Sequence, residues 1–377
     1  MKNNLLKLLC SVIFMTTHFM QAIDLQIRDQ SFQAIVLAAG EGSRFKTGIT
    51  KLVTPICGQP MVLYPIKLLE KMKVPITAVV GFQKDLVTDA IKKGSVQQIA
   101  FSEQQKQLGT GHALLASKDT WQADTLLVMN GDMPLITPES IEALCAEHFK
   151  TNAAISVVTS YNVDPANTFG RIVRQGDKIK IVEKKHFTYN IKEYPQVNVG
   201  VYLINRAFAS IFINFIEQNN KTNEFYITDL VEIASNNNLT VNTVELPFDQ
   251  FYGVNTFEEL NHAEQIIHHN ILRTWMAQGV RFIAPHTTVI DHNVRIGRGS
   301  VIHAGVHVLN GSTIGEFCTV KAGTILDNVV IENNVSVGAH CVLDNITIAK
   351  DAIVDPLMRS IHSPVKNVPE APKHIEK

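Results

Sequence analysis

The chain has 377 residues, 45% hydrophobic and 18% charged, enough to bury one large core and a second, smaller one. Its 34 Lys and Arg against 35 Asp and Glu leave a formal net charge of -1, without the long basic runs that nucleic acid or an acidic membrane selects. No nucleic-acid partner is therefore expected, and an anionic substrate must be held by a local site. Five cysteines (Cys10, Cys57, Cys145, Cys318, Cys341) form no CxxC pair, which argues against a disulfide framework or a zinc site and for buried reduced thiols.

At the N-terminus, Lys2 and Lys7 flank or enter an apolar stretch from Leu5 to Met20 that ends near Gln21-Ala22 like a secretory signal. Lys7 and His18 interrupt it, Met20 spoils the small-x-small pattern, and no lipoprotein box precedes Cys10. Residues 1–30 are read as an extension outside the fold, a signal or an anchor, and the only route to a membrane.

From Phe32 to about Gly253, apolar β-branched runs alternate with segments of helical spacing. Ala34-Ala38, Ile76-Val80, Gln98-Phe101, Leu126-Met129 and Ala154-Thr159 read as strands. Met61-Met72, Asp85-Lys92, Gly111-Ser117 and Pro138-Phe149 read as helices, so the pattern is a doubly wound, mostly parallel α/β sheet of Rossmann-like type over residues 31–255. Residues 256–279 carry Phe257, Leu260, Ile267, Ile271 and Trp275 at intervals that fit one stripe of a linking helix, closed by Gly279.

Beyond it, Ile290, Ile296, Ile302, Val308, Ile314, Val320 and Leu326 recur every six residues, and Ile331, Val337 and Leu343 resume after one shortened interval. Hexads with Gly after several of these residues indicate a short left-handed parallel β-helix over 280–355. Residues 356–377, with Pro364, Pro369 and Pro372, lose the hexad and read as a tail.

The first strand runs into Gly40-Glu41-Gly42-Ser43-Arg44, where glycines let backbone N–H groups approach a phosphate and Arg44 adds charge. Phe45 stands where a dinucleotide loop needs its third glycine and no GK[ST] follows, so the dinucleotide and Walker readings both fail. Lys51 supplies a second cation seven residues on. Asp132 follows an apolar strand, where open α/β sheets bind ligands, and is a candidate magnesium ligand. Gln104 to Gly111 offers amides and exposed backbone that can read a base edge. Singly, each has a bland alternative: a tight turn, a solvated lysine, a turn aspartate, a β-turn.

Order and spacing together are specific. Leu37-Ala38-Ala39-Gly40 with Gly42 and Arg44, Lys51, Gln104 with Gln107 to His112, and Gly131 to Leu135 are followed by Phe169-Gly170-Arg171-Ile172, Val182-Glu183, Asn198-Val199-Gly200, Glu224 to Asp229 and Gly253-Val254-Asn255. In these stretches the chain resembles the N-acetylglucosamine-1-phosphate uridylyltransferase domain of the bifunctional enzyme that makes UDP-N-acetylglucosamine. The resemblance implies that Arg44 and Lys51 contact phosphates, and that Leu37, Ala38, Ala39, Gly40, Gly42, Gln104, Gly109 and Thr110 bind UTP. It further implies that Gly170, Glu183 and Asn198 cradle the amino sugar, and that Asp132 and Asn255 hold Mg2+. His112 reads as structural. Thr50 and Gln59 depart from the family, which usually has Pro and a basic residue there.

The resemblance therefore implies transfer of UMP from UTP to N-acetylglucosamine-1-phosphate, releasing pyrophosphate, in the cytoplasm, for cell-envelope precursors such as those of peptidoglycan. The basic, His-containing segment and Asn-Tyr turn of the family's acetyltransferase coils have no match after Leu343, so acetyl transfer is expected to be absent, and the β-helix is expected to support a homotrimer. Rival readings are another sugar-1-phosphate nucleotidyltransferase, using glucose-1-phosphate with UTP or dTTP, a non-catalytic scaffold or regulatory relative, and an acetyltransferase acting through the hexad domain.

Overall fold

A computed structural model describes residues 32–164 and 167–361, the side chains of Ser43 and Ile361 apart. The signal-like segment, Cys10 and most of the tail lie outside the described residues. These fall into two compact units: one holds residues up to Pro55 and Pro60–Ala263, the other Ile56–Gln59 and the residues from Glu264 onward. Among the described residues no helix is long and apolar enough to cross a membrane.

The first unit is built on nine strands: β1 Phe32–Ala38, β2 Ile76–Val80, β3 Ala100–Glu103, β4 Thr125–Asn130, β5 Ile155–Tyr161, β6 Arg171–Gln175, β7 Lys178–Val182, β8 Gln196–Asn205 and β9 Val241–Glu245. The main path runs β9-β5-β8-β4-β1-β2-β3, with β6 and β7 branching from β8. Its pairings are parallel except for β8, which lies antiparallel between β4 and β5. The strand expected at Gln98-Phe101 lies two residues further on, at Ala100–Glu103, because the segment pairs Thr77 with Ala100 and Val80 with Glu103.

The described residues hold seven α-helices: α1 Leu63–Lys71, α2 Lys84–Gly94, α3 Thr110–Ala116, α4 Pro138–Thr151, α5 Arg206–Phe212, α6 Asp229–Asn236 and α7 Phe257–Ala277. Strand periodicity assigns the first six to two faces. Ala34, Val36 and Ala38 of β1 join Ile66 and Leu69 of α1, Val87 and Ile91 of α2 and Leu144 of α4 in one core. Ile35, one residue out of phase, joins Leu114 of α3, Phe208 of α5 and Leu230 of α6 in the other. The result is a three-layer α/β/α unit. Local signals mark α4 clearly: Pro138 opens it, the Thr137 hydroxyl accepts from Ser140 N, and left-handed Asn152 ends it.

In the second unit, two- and three-residue strands form three parallel sheets that wind into a left-handed β-helix. Ile290 faces Val308 and Ile314 faces Ile331, and all ten hexad residues named above are at most 3% exposed. Leu272 of α7 and Ile348 belong to the same core. Asn310, Asn328 and Asn345 turn corners with φ of 49, 50 and 52°, a conformation Asn tolerates better than most residues. Pairing does not end at Pro356: Arg359–Ile361 pairs with Val342–Asp344, so the stretch read as tail begins with one more strand. Phe257, expected on the buried stripe of the linking helix, is 54% exposed and stacks on Phe45 with centroids 4.5 Å apart.

Cys57, Cys145, Cys318 and Cys341 are free and buried. Burial pushes the thiols of Cys57 and Cys145 up to about 12, keeping them protonated and unreactive at neutral pH.

Candidate active site at the carboxyl ends of the sheet

The parallel strands β1, β2, β3 and β4 all deliver loops to their carboxyl ends, where open α/β sheets bind ligands. After β1 come Ala39 and Gly40, after β3 Gln104, and after β4 Asp132. Gly131 N donates to Leu37 O at 2.9 Å, tying the turn after β4 to the end of β1.

Four of the expected residues converge through side-chain bonds. Lys51, 7% exposed, donates from Nζ to Asp132 Oδ2 at 2.5 Å and to Asn255 Oδ1 at 2.7 Å. Arg44 Nη2 reaches the same Asn255 oxygen at 2.8 Å. Asp132 Oδ1 is buried and has no partner among the described residues. A carboxylate and an amide oxygen thus already face a cation, and a second carboxylate oxygen is unsatisfied. Those oxygens suit a divalent cation that prefers oxygen ligands and keeps part of its water shell, so the donor set fits Mg2+. Among the described residues no group of three or more His, Cys, Asp or Glu is placed to hold a metal.

Two supports of this group escape a residue-by-residue reading. Glu259 Oε2 accepts from Asn255 N at 2.6 Å, while the Thr256 hydroxyl accepts from Glu259 N at 3.2 Å. This is close to a capping box, and the spacing Thr256-x-x-Glu259 at the start of α7 could have revealed it. Gln83 bonds Thr50 N through Oε1 and Gly48 O through Nε2, each at 2.8 Å. Thr50 has φ -58 and ψ 130°, angles a proline would share. The N–H that proline would lack is the one given to Gln83.

A second group forms where Gln104 Nε2 donates to Gly109 O at 3.0 Å. Gly109 has φ +94°, and a Cβ there would meet Phe225 O at 2.5 Å. The loop is laced to that segment by Gly111 N to Phe225 O and Phe225 N to Leu108 O, both 2.8 Å, and by Ile227 N to the Thr110 hydroxyl at 3.1 Å.

The third group contains Gly170, Glu183 and Asn198. Asn198 N donates to Gly170 O at 2.9 Å, and a Cβ on Gly170 would meet Glu183 Oε2 at 3.4 Å. Partners given no role in the sequence reading orient these residues. Thr228 donates its hydroxyl to Glu183 Oε1 at 2.9 Å, and Asn198 Nδ2 donates to the Tyr202 hydroxyl at 2.7 Å. Burial raises the Glu183 carboxyl, against the opposing effect of the Thr228 bond.

Burial, then the charges of Glu183, Glu232 and Glu217, raise Asp229 from 3.8 to about 6. A carboxyl that holds its proton more tightly when folded makes the fold less stable as pH climbs from about 4 to about 6, and the penalty is complete above that window. Asp229→Asn should therefore melt roughly a few degrees above the parent protein at pH 8, with the gap closing toward pH 4. Equal melting temperatures at pH 8 would show that the raised carboxyl is not a burden on the fold.

Comparison with known proteins fits this geometry. Residues 34–190 match the model of the MobA-like NTP transferase domain. The chain is 31% identical over 330 residues to the bifunctional protein GlmU of Geotalea uraniireducens, covering 86% of this chain and 72% of that protein. It is 34% identical over 329 residues to GlmU of a Geobacillus species (strain WCH70), covering 86% and 70%. A crystal structure of a Bacillus anthracis chain assigned as a glucose-1-phosphate thymidylyltransferase superposes with a TM-score of 0.51 at 23% identity, over 63% of this chain and 95% of that one. That last likeness concerns the fold.

Proposed function

The chain belongs to the GlmU family of nucleotidyltransferases, and from this we propose that it transfers UMP from UTP to N-acetylglucosamine-1-phosphate, giving UDP-N-acetylglucosamine and pyrophosphate. The observation that carries the reading is the convergence of Arg44, Lys51, Asp132 and Asn255 at the end of β4, with a buried carboxylate oxygen left without a partner.

One sugar-phosphate oxygen must attack the α-phosphorus of UTP although both molecules are anions, so neutralising and aligning charge is the main task. A sugar phosphate is already ionised near neutral pH, and no general base is required of the chain. Arg44 and Lys51 supply fixed positive charge for the triphosphate and the departing pyrophosphate. Asp132 and Asn255 would hold Mg2+, which when bound neutralises phosphate charge and orients the two substrates. Leu37 to Gly40 and Gly42 offer backbone to the phosphates, Gln104, Gly109 and Thr110 read the base, and Gly170, Glu183 and Asn198 receive the amino sugar.

Gly40 isolates the role of the loop. It is exposed, and a Cβ there would meet nothing within 4 Å, so folding gives no reason for glycine. Gly40→Ala should fold and melt like the parent, yet raise KM for UTP by about tenfold or more, since shifting a reacting group by ~1 Å can cost on the order of a hundredfold. An unchanged KM would remove the loop from the phosphate site.

The deciding assay is pyrophosphate release with UTP, Mg2+ and a panel of sugar-1-phosphates. Failure with N-acetylglucosamine-1-phosphate alongside activity on another sugar would overturn the sugar assignment, and no release with any would overturn the enzyme reading. Use of UTP places the reaction in the cytoplasm, an assignment reversed by mass spectrometry of native protein lacking residues 1–22. The β-helix is proposed to join three copies, and sedimentation as a monomer would exclude that.

A further inference from the structure

The loop that follows β3 fixes the orientation of one amide. Gln104 is 3% exposed, and its backbone is anchored by Gln104 N to Val80 O at 2.8 Å. Its Nε2 lies 3.0 Å from Gly109 O and 3.1 Å from His112 Nδ1. A carbonyl oxygen only accepts, so the nitrogen and not the oxygen of the amide must face Gly109. That nitrogen has no lone pair to offer, so His112 Nδ1 is the acceptor of its other proton and the imidazole carries its own proton on Nε2. Both amide protons are then engaged within the protein. Gln104 Oε1 accepts nothing among the described residues and is the only part of the amide left for a ligand.

The Gly109 carbonyl does not hold this orientation alone. It already accepts the first bond of α3, from Ala113 N at 3.1 Å. His112 is itself held in the first turn of that helix, with its ring 6.3 Å from that of Phe225.

We propose that His112 is a positioning residue for base selection: by taking the second amide proton of Gln104 it keeps Oε1 turned toward the nucleotide, so that the site accepts a pyrimidine whose ring N3 carries hydrogen. Uracil presents such an N3–H. Cytosine presents an N3 lone pair, which would oppose the amide oxygen and leave it without a donor, and a buried polar group left unpaired is a strong source of rejection. Without His112 the amide loses one of two restraints and can turn its nitrogen toward the base. The inference rests on the assignment of Gln104 to the uracil of UTP and adds what aims it.

The test measures kcat and KM for UTP and for CTP by pyrophosphate release with N-acetylglucosamine-1-phosphate, in the parent protein and in His112→Leu and His112→Asn. Leucine removes the acceptor. Asparagine restores one, because its Oδ1 stands about where Nδ1 does. His112→Leu should raise KM for UTP while leaving kcat near the parent value, and lower the UTP-to-CTP ratio of kcat/KM by about tenfold, the loss of one hydrogen bond. His112→Asn should keep most of the parent ratio. An unchanged ratio in His112→Leu overturns the proposal, as does equal loss in both variants, which would make the imidazole a packing group against Phe225. If the leucine variant does not fold, His112→Ala is read in the same ratio. A parent protein that uses CTP as well as UTP would instead overturn the base reading, whereas a parent preference that survives His112→Leu would overturn only the role of His112.

Discussion

Asp132→Ala is expected to lower turnover by on the order of a hundredfold to a thousandfold, the loss typical of removing one preorganised charge partner, and to abolish tight Mn2+ binding measured by paramagnetic resonance. Asp132 supplies the only carboxylate among the four converging residues, and its Oδ1 has no partner among the described residues. Alanine also leaves the Lys51 ammonium, whose side chain is only 9% exposed, with Asn255 as its remaining acceptor. Part of the damage would then be structural, since an uncompensated charge in a confined site costs stability. Asp132→Asn separates the two effects. It keeps the shape and an oxygen for Lys51, so it should melt near the parent while losing metal affinity and turnover nearly as severely. Turnover within about threefold of the parent in Asp132→Asn would show that the negative charge is not needed and would undo the metal assignment, given the hundredfold scale expected for such a group.

Much of the sheet was legible because local pattern and tertiary environment agree. Ile76–Val80 is a β-branched, largely apolar run broken only by Thr77, and it becomes a strand buried on both faces. The hexads are legible for the same reason, because each repeated residue meets its own kind in the next turn of the helix. What periodicity could not show is β8. Its run from Gln196 to Asn205 pairs antiparallel to both neighbours and carries a register shift between Asn198 and Tyr202, a long-range arrangement with no local signature. The β6–β7 hairpin that brings Gly170 and Glu183 to Asn198 depends on it, since its strand pairing with the sheet runs through Val197 and Arg171 of β8 and β6.

The candidate site divides in the same way. Arg44, Lys51, Gln104 and Asp132 stand in loops after strands, where chemistry and position in the sequence coincide. Asn255 is different. Nothing in Gly253-Val254-Asn255 alone says that it meets a lysine 204 positions away, and only its place in an ordered series of motifs selects it. The orienting residues were harder still. Thr228, Tyr202 and His112 each act through one hydrogen bond to another side chain, so their roles exist only once the fold has brought the two together. His112 reads as structural in the sequence, and its geometry assigns it an orienting role.

Gly109→Ala should be among the most damaging single changes to UTP use, and the reason is steric before it is chemical. Gly109 precedes α3 with φ 94 and ψ 177°, a region that costs a side-chain-bearing residue about 1–3 kcal/mol. The added Cβ would also lie 2.5 Å from Phe225 O and 2.9 Å from Phe225 N. These are backbone atoms held by the bonds that lace the two segments, and they cannot swing aside as a flexible side chain would. The loop must move instead, and with it the Gly109 carbonyl that fixes Gln104. Because the displaced groups are those proposed to read the base rather than the transferring phosphate, the expected signature is a KM for UTP raised by on the order of a hundredfold, the scale of a ~1 Å misplacement, with a smaller change in kcat. The same clash should lower the melting temperature, and weaker protection of the Gly111 and Phe225 amides in hydrogen exchange should localise the damage. A variant that binds UTP normally would mean that the Gly109 turn has no part in reading the nucleotide, whatever its cost to the fold.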